Sequence, residues 1–411
     1  MLNVVVLNGG RGAATLIPAL LARQGLHVTS VVNAYDDGKS TGEIRHRFGM
    51  LGPSDIRKVQ ELMLPQDDPD FQANLALFRF RFPVQCPHDA AVAEIAAFVD
   101  PRCEKLCGVR FESRRVRKSL EAALREFLSS LGPIEKVFGT SFNFSDCAMM
   151  NIVYAGSFLL FRRDMEQATL FIDRLFKLRG TVLPTSTEDK KLMALRENGQ
   201  VLYSEAEIVE LRSNVRIENI YLVDNYVDRN RFDALDISEK RFFLERHHCP
   251  VRVSAGVEQA LRQADIIVYS AGTQHSSLYP TYMSAGLSRT ISYNKTALKV
   301  FVTNIGADYE TPDYKASDYV RGAHRYLNSA EPRLIPMQDL IDVILINQSH
   351  LKPSETYVQY DEEGFADVPV RRIVDAFESS SSPGKHDGAK LVDRILELYE
   401  HTSAKSPRPQ E

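Results

Sequence analysis

Three groups of residues near the start of the chain have types and spacing that could do chemistry. The first is Gly9, Gly10, Arg11 and Gly12, a glycine turn with a cation inside it. Glycines let a backbone approach a ligand closely, and successive N–H groups in a strand-to-helix turn aim at an anion. The second is Asp36-Asp37-Gly38-Lys39-Ser40-Thr41-Gly42. Adjacent carboxylates in a loop can ligate Mg²⁺ or accept a proton from an attacking hydroxyl. The third is Asp55, on its own turn after Gly52-Pro53. Each group has a plainer reading: glycine serves a tight turn through its dihedrals, and Asp and Gly populate solvated turns for local reasons. The glycine turn matches neither G-x-G-x-x-G nor G-x-x-x-x-G-K-[ST].

The elements around these groups predict how they are positioned. Asn3 to Leu7 and Val28 to Val32 are short β-branched runs, as in strands buried on both faces. Ala13 to Ala22 reads as the helix between them. In a parallel sheet the two following loops fall on one edge, beyond the carboxyl ends of the strands, where ligands bind. Asp55 to Met63 reads as a helix. A second α/β half follows, with strands at Asp265 to Tyr269 and Lys299 to Ile305. The loop Ser270 to Ser277 is small and rich in hydroxyls, suited to hydrogen bonds with phosphate or ribose. The predicted fold is α/β, a Rossmann-like three-layer sandwich with a mainly parallel sheet. One domain is expected over 1–400, with a helical insertion at about 67–134 and a disordered tail at 401–411. Asp146 to Phe161 reads as a buried helix, and 200–211 and 217–223 as short strands.

Composition excludes several classes. The chain has 411 residues with a net charge of −4, so no global basic field recruits nucleic acid. No apolar run approaches the roughly 20 residues of a membrane span. Five scattered cysteines suit reduced thiols and a cytoplasmic setting. Cys86-x-His88 and Cys103-x3-Cys107 match no common zinc spacing. The Arg114–Lys118 cluster reads as a solvated helix face. No Gly-x-Ser-x-Gly elbow marks a serine nucleophile.

Taken in order, these blocks resemble the CofD/YvcK-like superfamily of 2-phospho-L-lactate transferases and gluconeogenesis factors. The similar blocks are Asn8 to Gly12, Asp36 to Gly42, Pro53-Ser54-Asp55-Ile56-Arg57, Met150-Asn151-Ile152 and Leu183-Pro184-Thr185-Ser186. They continue with Ala264 to Val268, Gly272, Thr273, Ser277, Pro280, Asn304, Glu310-Thr311, Ala316 to Val320 and His386-Asp387. The transferase branch implies a Mg²⁺-assisted transfer of a phosphorylated organic acid from a nucleoside diphosphate-linked donor to a hydroxyl acceptor. Carried onto this chain, the resemblance implies that Asp36, Asp37 and Asp55 are catalytic, with Asp37 and Asp55 as metal ligands. Gly9, Gly10, Arg11, Gly12, Lys39, Ser40, Asn151, Gly272 and Thr273 would then hold the nucleotide-linked ligand. The other branch implies a non-catalytic regulator that binds a nucleotide sugar such as UDP-N-acetylglucosamine. The expected partner is a nucleotide-linked small molecule, and a homodimer remains an open expectation. Lys39 stands where the family's Asp-Asp-Gly-Gly has its second glycine, Arg11 sits in the first loop, and Ala271-Gly272-Thr273 replaces a Pro-Gly-Ser turn.

Overall fold

The computed structural model describes residues 1–405 except 11, 101, 104, 226 and 349–356. The chain opens with strand β1 (Leu2–Leu7), helix α1 (Leu16–Leu21) and strand β2 (Leu26–Val32). Helices α2 (Lys39–Phe48), α3 (Ser54–Leu62), α4 (Phe71–Arg79) and α5 (His88–Val99) follow. Next come the two-residue strands β3 (Lys105–Leu106) and β4 (Val109–Arg110), then α6 (Arg114–Phe138), α7 (Met149–Leu160) and α8 (Met165–Leu175). Strands β5 (Thr181–Pro184), β6 (Lys191–Arg196) and β7 (Val201–Leu202) precede α9 (Glu205–Glu210) and β8 (Ile217–Val223). Helices α10 (Arg229–Asp233), α11 (Ile237–His247) and α12 (Ala255–Gln263) lead to β9 (Ile266–Tyr269). After it come α13 (Tyr279–Tyr282), α14 (Leu287–Tyr293), β10 (Leu298–Val302), α15 (Ala316–Leu327), α16 (Met337–Leu340) and β11 (Val343–Asn347). The last elements are β12 (Arg371–Asp375), β13 (Glu378–Ser379), β14 (Ser382–His386) and α17 (Gly388–Lys405).

Seven strands form one sheet in the order β12-β11-β10-β9-β1-β2-β5. Every neighbouring pair is parallel, and helices cover both faces. This is the predicted α/β architecture. Val4, Val5, Val6 and Leu7 are all buried, as a central parallel strand requires. The chain runs outward from β1 through β2 to β5, then returns to the other side of β1 with β9. The crevice at the sheet's topological switch point therefore opens between the ends of β1 and β9, where Leu7 pairs with Tyr269.

Helix α6 follows the predicted periodicity. Val116, Leu120, Ala123, Leu124, Phe127 and Leu131 are buried along one stripe. Ser113 Oγ accepts the Val116 N–H at its start, and Gly139 at φ 67° ends it. Helix α7 packs on this stripe and is buried from Met149 through Phe158. Of the tail expected from residue 401, residues 401–405 continue α17, and 406–411 lie outside the described residues.

The sequence reading of 200–211 as a strand is corrected. Only Val201–Leu202 pairs, antiparallel to β6 in the small sheet β7-β6-β8. Glu205–Glu210 is helical, because Ser204 Oγ accepts the Glu207 N–H and starts the helix. Helix α9 then approaches the loop after β9.

Candidate functional site

The loop after β1 is shaped by what lies against it. Asn8 is fully buried; its Nδ2 donates to Gly9 O at 2.9 Å, and its Oδ1 accepts from Ser30 Oγ at 2.7 Å. A Cβ on Gly10 would meet Asp55 Oδ1 at 2.5 Å. A Cβ on Gly12 would meet Ala271 O at 2.5 Å and Gly272 Cα at 3.0 Å. These glycines thus let the first loop sit between α3 and the loop after β9. Gly272 is fixed from beneath, donating its N–H to Asn304 Oδ1 at 2.9 Å and accepting from Asn304 Nδ2 at 3.0 Å. Arg11 lies outside the described residues.

The segment after β2 is held by buried Arg45. Its guanidinium donates to Tyr35 O and to Asp189 Oδ1, both at 2.6 Å. Asp36 Oδ1 accepts the Gly38 N–H at 3.0 Å. Thr41 Oγ1 and Ser54 Oγ are 2.5 Å apart, tying α2 to α3.

Between these loops lies a cleft of about 560 Å³. Gly9, Gly10, Gly12, Asp36, Lys39, Ser40, Asp55 and Thr273 line it, so eight of the residues singled out from the sequence meet in one place. Gly272 supports the floor under Gly12. Asp37 has a different place: its Oδ1 accepts the Ala206 N–H at 3.0 Å and caps α9, and it is not among the residues lining the cleft. Asn151 is fully buried in the first turn of α7, also away from the lining. Its side-chain oxygen and nitrogen have no hydrogen-bond partner.

Further lining residues were not singled out from the sequence. Glu205, at the start of α9, is nearly buried beside the aspartates. Its carboxyl is pushed well above the usual range by burial, and then by Asp36 and Asp55. Burial and then Asp55 likewise raise Asp36. Asp55 itself is paired with Lys58 Nζ at 2.6 Å, one helical turn on. The spacing of Asp55 and Lys58 was a signal in the sequence; Glu205 gave none while its segment was read as a strand.

Below Thr273 lies buried Glu310. It accepts from Ser276 N at 2.9 Å and from Ser276 Oγ at 2.5 Å. Burial, followed by Asp308, pushes Glu310 up to about 8. Thr273 Oγ1 donates to Ser277 Oγ at 2.8 Å, so the hydroxyl-rich loop faces the cleft as an ordered set.

The cleft also has a cationic flank made by Lys39, Arg57, Lys58 and Arg81. Arg57 and Lys58 share α3, while Arg81 comes from the segment after α4. Among the described residues no group of three or more His, Cys, Asp or Glu side chains is placed to hold a metal. No described helix is long and apolar enough to cross a membrane.

Known proteins resemble this chain over nearly all of its length. The family model described as 2-phospho-L-lactate transferase CofD matches residues 4–380. A putative gluconeogenesis factor from Thermotoga maritima is 24% identical over 410 residues, covering 96% of this chain and 98% of that protein. A gluconeogenesis factor from Listeria monocytogenes is 23% identical, covering 96% and 95%. A crystal structure of a UPF0052 family member from Bacillus halodurans superposes with a TM-score of 0.65 at 20% identity, covering 96% of this chain and 98% of its own. With a family match spanning nearly its whole length, the chain belongs to the CofD family.

Proposed function

We propose that the cleft binds a nucleoside diphosphate-linked small molecule and transfers its phosphorylated acid to a hydroxyl acceptor. The observation that carries this reading is the convergence of a glycine loop and raised carboxylates at the sheet's switch point. Gly9, Gly10 and Gly12 bring backbone close to the cleft. Asp36 and Glu205 hold carboxyls above their usual range. A carboxylate that must take a proton near neutral pH works best when its affinity for that proton is raised.

In this reading the acceptor hydroxyl oxygen attacks the acid-side phosphorus. The new P–O bond forms as the bridging P–O bond breaks, and nucleoside monophosphate leaves with the bonding electron pair. The acceptor's proton passes to Asp36. The glycine loop and the Ser276–Ser277 hydroxyls stabilise charge on the phosphoryl oxygens.

The residues also fit a magnesium ion. Asp55 raises the proton affinity of Asp36, and both raise that of Glu205, beyond what burial does, a repulsion that a cation would relieve. Magnesium typically takes one or two carboxylates plus substrate phosphates, so a three-carboxylate cage is not needed. Asp55 would hold it together with substrate phosphate oxygens, and it would supply charge neutralisation for the pyrophosphate. Asp37 instead positions α9.

A second reading has its own support: the curated relatives named above are called gluconeogenesis factors. In it the same cleft holds a nucleotide sugar without turnover. Incubation with nucleotide-linked donors, hydroxyl acceptors and Mg²⁺ separates the two. Release of nucleoside monophosphate supports transfer. Thermal stabilisation by nucleotide sugars with no release across the panel favours the second reading and overturns the first.

A further inference from the structure

Lys39 has a backbone φ of 44°, in the left-handed region that favours glycine. A lysine there costs conformational energy that a glycine would avoid. Its side chain is 71% exposed, lines the cleft and sits 3.6 Å from Asp146 Oδ2. Asp146 also adopts a positive φ, 51°, and is held mainly by Arg81. Arg81 Nε donates to Asp146 Oδ1 at 2.7 Å, and Arg81 Nη2 donates to Asp146 O at 2.6 Å.

Arg57 lies beside this group. It is only 7% exposed, lines the cleft, and has no partner for Nε, while Nη1 donates to Phe78 O at 2.7 Å. Lys58, the neighbouring residue on α3, is engaged by Asp55. Arg81 is engaged by Asp146, which leaves Arg57 Nε, without a partner, and Lys39, in a long 3.6 Å ion pair, as the cationic positions open to a further anion.

We propose that Lys39, Arg57, Lys58 and Arg81 form a second anion subsite, distinct from the glycine loop, that takes a phosphoryl group of the molecule meeting the nucleotide-linked ligand. The inference rests on the transfer reading for the identity of that molecule, but not for the subsite itself. Cations placed on α2, α3 and the segment after α4 can meet several oxygens of one phosphoryl group, which a single carboxylate does not offer. On binding, the phosphoryl oxygens replace Asp146 at the loosely held Lys39 ammonium and leave the closer Arg81–Asp146 pair in place.

The test uses the full chain with inorganic phosphate as probe, acetate as the carboxylate comparison, and phosphate binding followed by ³¹P NMR titration. Wild-type protein is expected to bind phosphate and not to be competed by equimolar acetate. Lys39→Gly and Arg81→Gln are each expected to weaken phosphate binding at least tenfold. Lys39→Gly is also expected to leave the Tm unchanged or raised, because glycine suits the backbone there. A purely structural lysine would show the reverse: a lower Tm and unchanged binding. Phosphate affinity unchanged in both variants overturns the subsite, as does equal competition by acetate. Donor turnover is measured in parallel. Lys39-dependent phosphate binding without any nucleoside monophosphate release keeps the subsite and removes the transfer reading. Release with Lys39-independent phosphate binding does the opposite.

Discussion

Asp37 and Ala206, 169 residues apart, are joined by one hydrogen bond: Asp37 Oδ1 accepts the Ala206 N–H at 3.0 Å. An aspartate from the acidic turn after β2 therefore anchors the short helix whose Ala206, Val209 and Glu210 line the cleft. Adjacent aspartates have separate places, with Asp36 lining the cleft and Asp37 holding its wall.

That separation gives opposite expectations for two similar substitutions. Asparagine caps a helix about as well as aspartate. Asp37→Asn is expected to keep kcat within a few-fold, while Asp37→Ala raises KM or ligand Kd several-fold as α9 loosens. Asp36→Asn is expected to lower kcat at least roughly 100-fold with ligand Kd little changed, as loss of a general base should. Single-turnover kinetics with a direct binding measurement checks both. Loss of kcat in Asp37→Asn equal to that in Asp36→Asn would contradict the division.

Glu205 is expected to be stability sacrificed for function. It is buried among like charges, with Asp36, Asp55 and Asp37 all raising its proton affinity. Glu205→Gln removes one of those charges and keeps the shape, so the Tm of ligand-free protein should rise by a few degrees, on the order of 1 kcal/mol. A thermal melt at pH 7 decides it: an unchanged or lower Tm contradicts the account.

Two glycines of the chain should respond in opposite directions to alanine. Gly12→Ala drives a methyl group to 2.5 Å from Ala271 O, and backbone on both sides must shift. Ligand affinity is expected to fall more than tenfold, with a Tm loss of several degrees. Gly132, inside α6, has nothing within 4 Å of the position a Cβ would take. Gly132→Ala should stabilise by about 0.5–1 kcal/mol through helix propensity. Equilibrium denaturation measures both.

Asp173 gives a pH signature remote from the cleft. Its carboxyl accepts from Gln60 Nε2 at 2.7 Å and from Val182 N at 2.8 Å, yet burial pushes it up to about 7. An acid whose pKa is raised on folding stabilises the fold fully below its unfolded value near 4 and loses that contribution as pH rises through 7. The slope of Tm against pH between about 4 and 7 should therefore contain a falling component, which Asp173→Asn flattens. An identical slope in the variant would refute this assignment.

Much of the fold was legible in the sequence because it rests on local signals. Buried parallel strands are short β-branched runs, so β1, β2, β9 and β10 declare themselves. Helix α6 carries its stripe and its capping serine in order. Segment 200–211 was misread because its apolar residues suit a strand about as well as a short helix. What settles it is capping, locally by Ser204 and at long range by Asp37.

The sequence by itself determined which residues have chemistry: the glycines, the acidic turn, Asp55 and the hydroxyl loop. It also determined that strand-end loops would gather on one sheet edge, since parallel pairing fixes that geometry. Only the tertiary structure decided which of two adjacent aspartates faces the cleft, because that depends on a partner 169 residues away. It alone brought Glu205 beside Asp36, set Arg81 beside Arg57 and Lys39, and buried Asn151 outside the cleft lining. Charge and burial act through space, and their effect on a carboxylate or a lysine appears only once the chain has folded around it.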